Sequence, residues 1–360
     1  MSPIPFGSGL SASVGIASES TVGTQVTPNA WYEFLDESLS NQPTFLDSQG
    51  LKAGLAYKRV ARTQISRYTV GGDVSLEFFD KGTTAAGGKG MGLWLKHMLG
   101  SSITTATQIA ATTAYKQNHT PGPKTGLSFT TQIGRPQTDG TIKAHTYRGC
   151  KVVSWEISVS DGELVRLSMT LDGWREDIAT GLTTPVFGGS TYQAGIFSFA
   201  DSSVFTLGGT ASTTGGEMSI AGGTSVATVV REFTLRGETP LATERYGLGN
   251  AGTKREQIDS GIQTITGTLG AEYTSQSEIY SLFANNTTTA LDLAFTHGDA
   301  GTSNPYMLRF TLPAIKLKEA AVNVGGPEII PQSINFEGFD DGSGTNAPLQ
   351  IKLVSQDQLI

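Results

Sequence analysis

A chain of 360 residues is long enough for two ordinary domains or one large one, each able to bury a sizeable core. Charged residues are only 16% of it, against about 25% in typical soluble domains. The 45 Gly and 14 Pro suit short strands and turns rather than a helical bundle or coiled coil. The net charge of −7 gives no reason to expect tight nucleic-acid binding, one cysteine (Cys150) excludes an intrachain disulfide and a cysteine-based zinc cluster, and no apolar run is long enough to span a membrane.

In chain order, Met1 to Leu10 lacks the basic and apolar regions of a cleaved signal peptide. Gly72 opens a strand holding Val74, Leu76, Glu77 and Phe78. Met91, Trp94, Leu95, Met98 and Leu99 then follow helical spacing between Gly90 and Gly100, with Lys96 and His97 on the other side. Ser101 to Thr125 is polar and reads as a mobile loop, and Leu127 to Ile133 as a strand. Val153, Trp155, Ile157 and Val159 alternate with polar residues, and after Asp161-Gly162 the alternation resumes at Val165, Leu167, Met169 and Leu171. Period-two patterning on both sides of Asp-Gly predicts an antiparallel hairpin with one apolar and one polar face. Residues 201–225 are rich in Ser, Thr, Gly and Ala and read as a flexible linker or long surface loop. A strand from Gly267 holds Leu269, Ala271, Glu272 and Tyr273, followed by a short helix from about Ser277 to Ala284 with Ser275 and Glu278 as its capping box. Strands at Leu291 to Phe295 and Met307 to Leu317 lead to Phe336-Glu337-Gly338-Phe339.

The order strand, helix, strand, strand, strand thus occurs twice. Two signatures recur with it: Gly followed by Glu-aromatic five and six residues later (Gly72, Gly267), and apolar-acid-Gly-aromatic at the close (Leu171 to Trp174, Phe336 to Phe339). Both in one order imply duplication. The expected division is an amino-terminal arm at 1–19, a first domain at 20–185, a linker at 186–225 and a second domain at 226–358.

Motifs with chemistry are few. Residues 247–252 read Gly-Leu-Gly-Asn-Ala-Gly, but no buried strand precedes them and no apolar helix follows, as a dinucleotide site requires. Gly82 to Lys89 misses the phosphate-loop spacing by one residue and has Gly90 where a magnesium-binding hydroxyl belongs. His97, His119, His145 and His297 lack metal-ligand spacing, and Asp340-Asp341-Gly342 lacks the later ligands of a calcium loop. No catalytic, cofactor or metal site is expected. Lys52, Lys58, Arg59, Arg62 and Arg67 cluster in one segment, either a solvated loop or a surface meeting acidic groups of a neighbouring copy.

Gly15-Ile16-Ala17-Ser18-Glu19-Ser20-Thr21-Val22-Gly23-Thr24, Pro28, Trp31-Tyr32 and Glu37-Ser38-Leu39 resemble the start of tail tube proteins of long-tailed bacteriophages. Val70-Gly71-Gly72-Asp73-Val74, Met98-Leu99-Gly100 and Tyr147-Arg148-Gly149-Cys150-Lys151-Val152 are similar to later parts of that family, as are Gly261 to Tyr273 and Ser333 to Phe339. The resemblance implies a mainly β fold of two tandem tail-tube-like antiparallel sandwich or half-barrel domains, each with one flanking helix. It implies a virion protein assembled in the host cytoplasm, whose rings stack into a hollow tube that delivers DNA without binding it tightly. A two-domain chain is then expected to build a trimeric ring with pseudo-sixfold symmetry, or alternatively a hexamer, and to meet tape-measure and tail-completion proteins. The expected channel-facing acids are Glu77, Asp172, Glu272 and Glu337, and the basic cluster is expected to contact other subunits or rings. Two other readings suit the composition: a surface adhesin or carbohydrate-binding sandwich, which would expose aromatics such as Trp31-Tyr32, and the tube of a bacterial injection machine.

Overall fold

The computed structural model describes residues 7–82, 89–188, 192–226 and 228–360. The first half carries β1 (Ser13–Ser18), β2 (Ala30–Tyr32), β3 (Asp36–Glu37), β4 (Ser40–Asp47), β5 (Thr63–Glu77), α1 (Met91–Leu99), β6 (Thr107–Gln108), β7 (Tyr115–His119), β8 (Phe129–Pro136), β9 (Ile142–Ser160), β10 (Arg166–Gly173) and β11 (Arg175–Asp177). The second carries β12 (Ser202–Leu207), β13 (Thr210–Thr214), β14 (Glu217–Ala221), β15 (Thr224–Ser225), β16 (Val230–Glu238), β17 (Thr264–Glu272), a π-helical turn at Gln276–Tyr280 continued by α2 (Ser281–Ala284), β18 (Thr289–Gly301), β19 (Asn304–Glu319), β20 (Pro331–Gly338) and β21 (Gln350–Ser355). All strand pairings are antiparallel, so the alternation read from the sequence becomes a sandwich of sheets with apolar inner faces.

The pairing order of the two halves is the same. In the first, the neighbours run β1, β8, β9, β10, β5, β4; in the second, β12, β18, β19, β20, β17, β16. The repeated signatures fall at matching places: Gly72 lies opposite Leu171, and Gly267 opposite Phe336. The glycine has a steric reason in each case. A Cβ on Gly267 would meet the Phe336 ring at 2.1 Å, and one on Gly72 the Ser38 carbonyl oxygen at 2.4 Å. A bulge recurs too, at Val153 between the pairs Leu171–Val152 and Thr170–Ser154, and at Lys318 between Phe336–Leu317 and Asn335–Glu319. Each bulge lies where β9 or β19 turns from its hairpin partner, β8 or β18, toward β10 or β20; extra residues of this kind bend and twist a strand.

The halves are also fused. β16 pairs with the far edge of β9, from Ser160–Glu232 to Ser154–Glu238, and β21 pairs with both β19 and β7. One continuous apolar cluster runs through both halves, from Val14 and Trp94 to Phe310 and Ile351.

Several expectations change. Ser13–Ser18, assigned to an arm, is a mostly buried strand between β2 and β8. The 201–225 segment is no flexible linker: it supplies β12, which pairs with β18, and the β13–β14 hairpin, because Thr and Ser alternate there with Ala, Val, Met and Ile as an edge strand tolerates. Ser101 to Thr125 likewise contains β6 and β7. His97 does not face solvent, because α1 is inside the core and only Lys96 on it is not fully buried. Its ring bonds the Ser18 hydroxyl at 2.8 Å and packs on Phe129, and burial pulls its pKa down to about 3. The capping box at Ser275 does not form; Glu278 instead accepts the Thr228 hydroxyl.

Candidate assembly surfaces

The polar side of the sheet formed by β5, β10, β9, β16, β17 and β20 is one continuous surface. Register places Glu77 beside Arg166, Ser158, Thr234, Thr268 and Asn335, with the next row holding Ser168, Glu156, Arg236, Thr266 and Glu337. Glu77, Asp172, Glu272 and Glu337 all fall on this side, with Asp73, Glu156, Glu232 and Glu238 added by the same alternation; carboxylates outnumber basic groups on it. These added acids were legible as polar positions of strands, but single-strand patterning does not say which strands lie side by side. Besides Asp172, three of these acids pair with a basic side chain among the described residues: Glu156 with Arg236 at 2.5 Å, Glu272 with Arg231 at 2.5 Å and Glu337 with Lys318 at 3.1 Å.

Asp172 is a correction, because it is roofed over. The segment 239–263 between β16 and β17 crosses it and places Lys254, whose side chain is wholly buried, 2.5 Å from its carboxylate. Gln257 donates to the other oxygen at 2.7 Å and accepts from the Trp174 indole at 2.9 Å. Burial pushes the Asp172 carboxyl above its ordinary value, and Lys254 and Gln257 act against that. The same segment locks onto Lys151, whose ammonium reaches Glu256 at 2.8 Å and the carbonyls of Lys124 and Gln257 at 2.7 Å. Asp259 accepts the Thr125 N–H and hydroxyl. Asp172 therefore fastens the two halves together and is not free to line a channel. The 247–252 motif lies in this segment as a loop with Leu248 fully exposed and no helix after it.

The basic residues sit on a protruding β4–β5 hairpin. Leu51, Tyr57 and Val60 are 101%, 85% and 92% exposed between Lys52, Lys58, Arg59 and Arg62, so this is an apolar surface studded with cations. Lys58 pairs with Asp47 at 2.9 Å. Arg67 belongs to the hairpin's base instead, held within the chain by Glu244 at 2.9 Å and the Tyr246 ring.

Among the described residues, β4 and the end of β19 are two of the sheet's open edges. β4 bears β5 on one side, and β19 beyond Ile315 bears β20 on one side; among the described residues neither has a strand on the other. The equivalent edge of β9 is filled by β16. At β3–β4 the Ser38 N–H bonds Asp73, so alternation turns Leu39's own groups outward. Both are capped: the N–H by Glu37 and the carbonyl by Arg135 and Tyr147, while Arg135 grips Glu37 through two bonds of 3.0 and 2.8 Å. Such shielding of an open edge limits indiscriminate pairing.

Cys150 is fully buried, and burial pushes its thiol up. Among the described residues no group of three His, Cys, Asp or Glu side chains could hold a metal ion, and no helix is long and apolar enough to cross a membrane. The Asp340-Asp341-Gly342 turn bonds its own backbone and Asn346. Most of the 82–89 stretch, residues 83–88, lies outside the described residues. Trp31 and Tyr32, which a carbohydrate-binding face would expose, are buried at 3% and 0%. No curated protein matches the chain. The family model described as phage tail tube protein matches residues 9–338, so the chain belongs to that family and is a structural component of the virion tail.

Proposed function

We propose that three copies close into a ring with pseudo-sixfold symmetry and that rings stack into the tube through which the genome is delivered, each chain supplying two tail-tube-like domains. The observation that carries this reading is the β9–β16 joint: a chain whose halves share one pairing order, joined edge to edge, still offers one β4 edge and one β19 edge for the next copy. Closing the circle removes both edges. The plain hexamer is less favoured, because one chain already supplies two turns of the repeat.

In this ring the acidic polar face lines the lumen, where carboxylates repel DNA phosphates and leave the strand mobile; a basic wall would hold it through counterion release. Glu77, Glu272 and Glu337, joined by Glu156 and Glu238, are the proposed lumen acids. The basic hairpin at 48–62, with its exposed Leu51, Tyr57 and Val60, is the proposed contact to a neighbouring subunit or ring, and the end rings would meet the tape-measure and tail-completion proteins. Particles carrying Glu77→Lys and Glu238→Lys are expected to form tubes of normal length and to eject DNA severalfold more slowly. Loss of tubes with these variants would place this face in subunit contacts instead.

A further inference from the structure

We propose that the joint between chains repeats the β9–β16 joint residue for residue, with 36–42 of one copy pairing antiparallel to 319–325 of the next. This rests on the ring reading above and adds its register. The mapping follows from the shared pairing. Gln42 faces Thr69 and Asn41 faces Val70 across β5, as Glu238 faces Thr264 and Gly237 faces Ile265 across β17. On the other side, Ser154 is the first paired residue after one bulge and Glu319 the first after the other. Ser154 opposite Glu238 therefore becomes Glu319 opposite Gln42. Leu39 then meets Val322 as Leu235 meets Ile157, and Ser40 meets Ala321 as Arg236 meets Glu156.

Four observations support the register. The run after Glu319 keeps the direction of β9, because Val322 bridges Gln332 as Ile157 pairs with Leu167. Val159 is 4% exposed beneath β16, whereas its counterpart Val324 is 75% exposed. Sizes also compensate. Trp155 packs where a Cβ on Gly237 would stand 2.3 Å from its ring, and the corresponding pair is Ala320 with Asn41, small for large and large for small. Finally, the Asn41 side-chain oxygen is buried without a hydrogen-bond partner among the described residues, and it sits in this edge. Pairing also transfers Leu39 from the Glu37–Arg135 clamp to a strand, as its counterpart Leu235 is already paired.

A disulfide reads the register directly, since residues directly opposite in an antiparallel pair have Cα atoms about 4.5–5.5 Å apart, within disulfide reach. The native Cys150 is buried and does not compete. Oxidised tubes of the Ser40→Cys, Ala321→Cys chain are expected to give a covalent trimer on a non-reducing gel. The slipped control Ser40→Cys, Asn323→Cys is expected to give at least fivefold less. Normal rings with equal or greater cross-linking in the control would overturn the register and leave the ring intact. Normal rings with no cross-link in either variant would show that other edges form the joint. Absence of rings from the parent chain would remove the ring reading itself.

Discussion

Replacing Lys254 by Met is expected to destabilise the chain by about 3–5 kcal/mol, the usual cost of removing one partner of a buried ion pair. The Lys254 side chain is wholly buried and the Asp172 side chain 14% exposed, so solvent does little to screen the charge left behind. Gln257 alone would then hold the Asp172 carboxylate, and burial would push its pKa still higher. The double variant Lys254→Met, Asp172→Leu should recover much of the loss, because a well-packed apolar pair often replaces a buried ionic one at little cost. Chemical denaturation of all four members of the cycle measures the coupling. Hydrogen exchange in the single variant should rise first at 239–263, the segment fastened by this pair. Equal losses in the single and double variants would mean that packing, not charge, holds the segment.

Asp357→Asn is expected to stabilise the chain by about 2–4 kcal/mol at pH 8 and to change it little at pH 4. Asp357 is 2% exposed, and one of its oxygens accepts the Gly82 N–H at 2.8 Å. The other has no partner among the described residues and lies where a Cβ on Gly90 would stand. Burial raises its pKa to about 7, the Gly82 N–H and Ser355 act against this, and neighbouring Asp80 adds to the rise. The folded state therefore holds a proton that the unfolded state releases near pH 4. Stability falls as pH rises from about 4 to 7 and is flat above that, and one pKa unit corresponds to about 1.4 kcal/mol. The start of α1 beside Gly90 favours negative charge by up to about 2 kcal/mol, which sets the lower bound of the expected gain. Glu217, held by Lys116 and Lys352 with its pKa lowered to about 2, titrates in the opposite sense. The difference between variant and parent denaturation midpoints across pH 4–8 isolates Asp357. A pH-independent difference would contradict the assignment.

The parts of the fold that depend on one strand's own pattern were legible. Alternation around Asp161-Gly162 gave the β9–β10 hairpin, whose turn is closed by the Glu163 N–H on the Ser160 carbonyl, and helical spacing gave α1 between its glycines. The paired signatures at Gly72 and Gly267 were legible because each glycine answers a steric demand of the same strand crossing. What period two does not encode is the identity of the neighbour. The β9–β16 joint, β21 beside β7, and the crossing of 239–263 over Asp172 are long-range choices, made by packing between segments far apart in the chain. Composition misled at 201–225, where small polar residues build paired strands instead of a linker. Asp172 looked like its neighbours on the polar side because the roof above it comes from the other half of the chain. The local pattern around Glu37 does not name its partner: Arg135 lies on another strand, so the capped edge is visible only in three dimensions.

Cross-sections of tubes assembled from the purified chain, reconstructed by electron cryomicroscopy, test the shared joint most directly. The expected ring holds three chains and six near-equivalent sheet segments, with joints inside and between chains alternating around the lumen. A ring of six chains, or one in which 319–325 does not lie along a neighbour's 36–42, would contradict it.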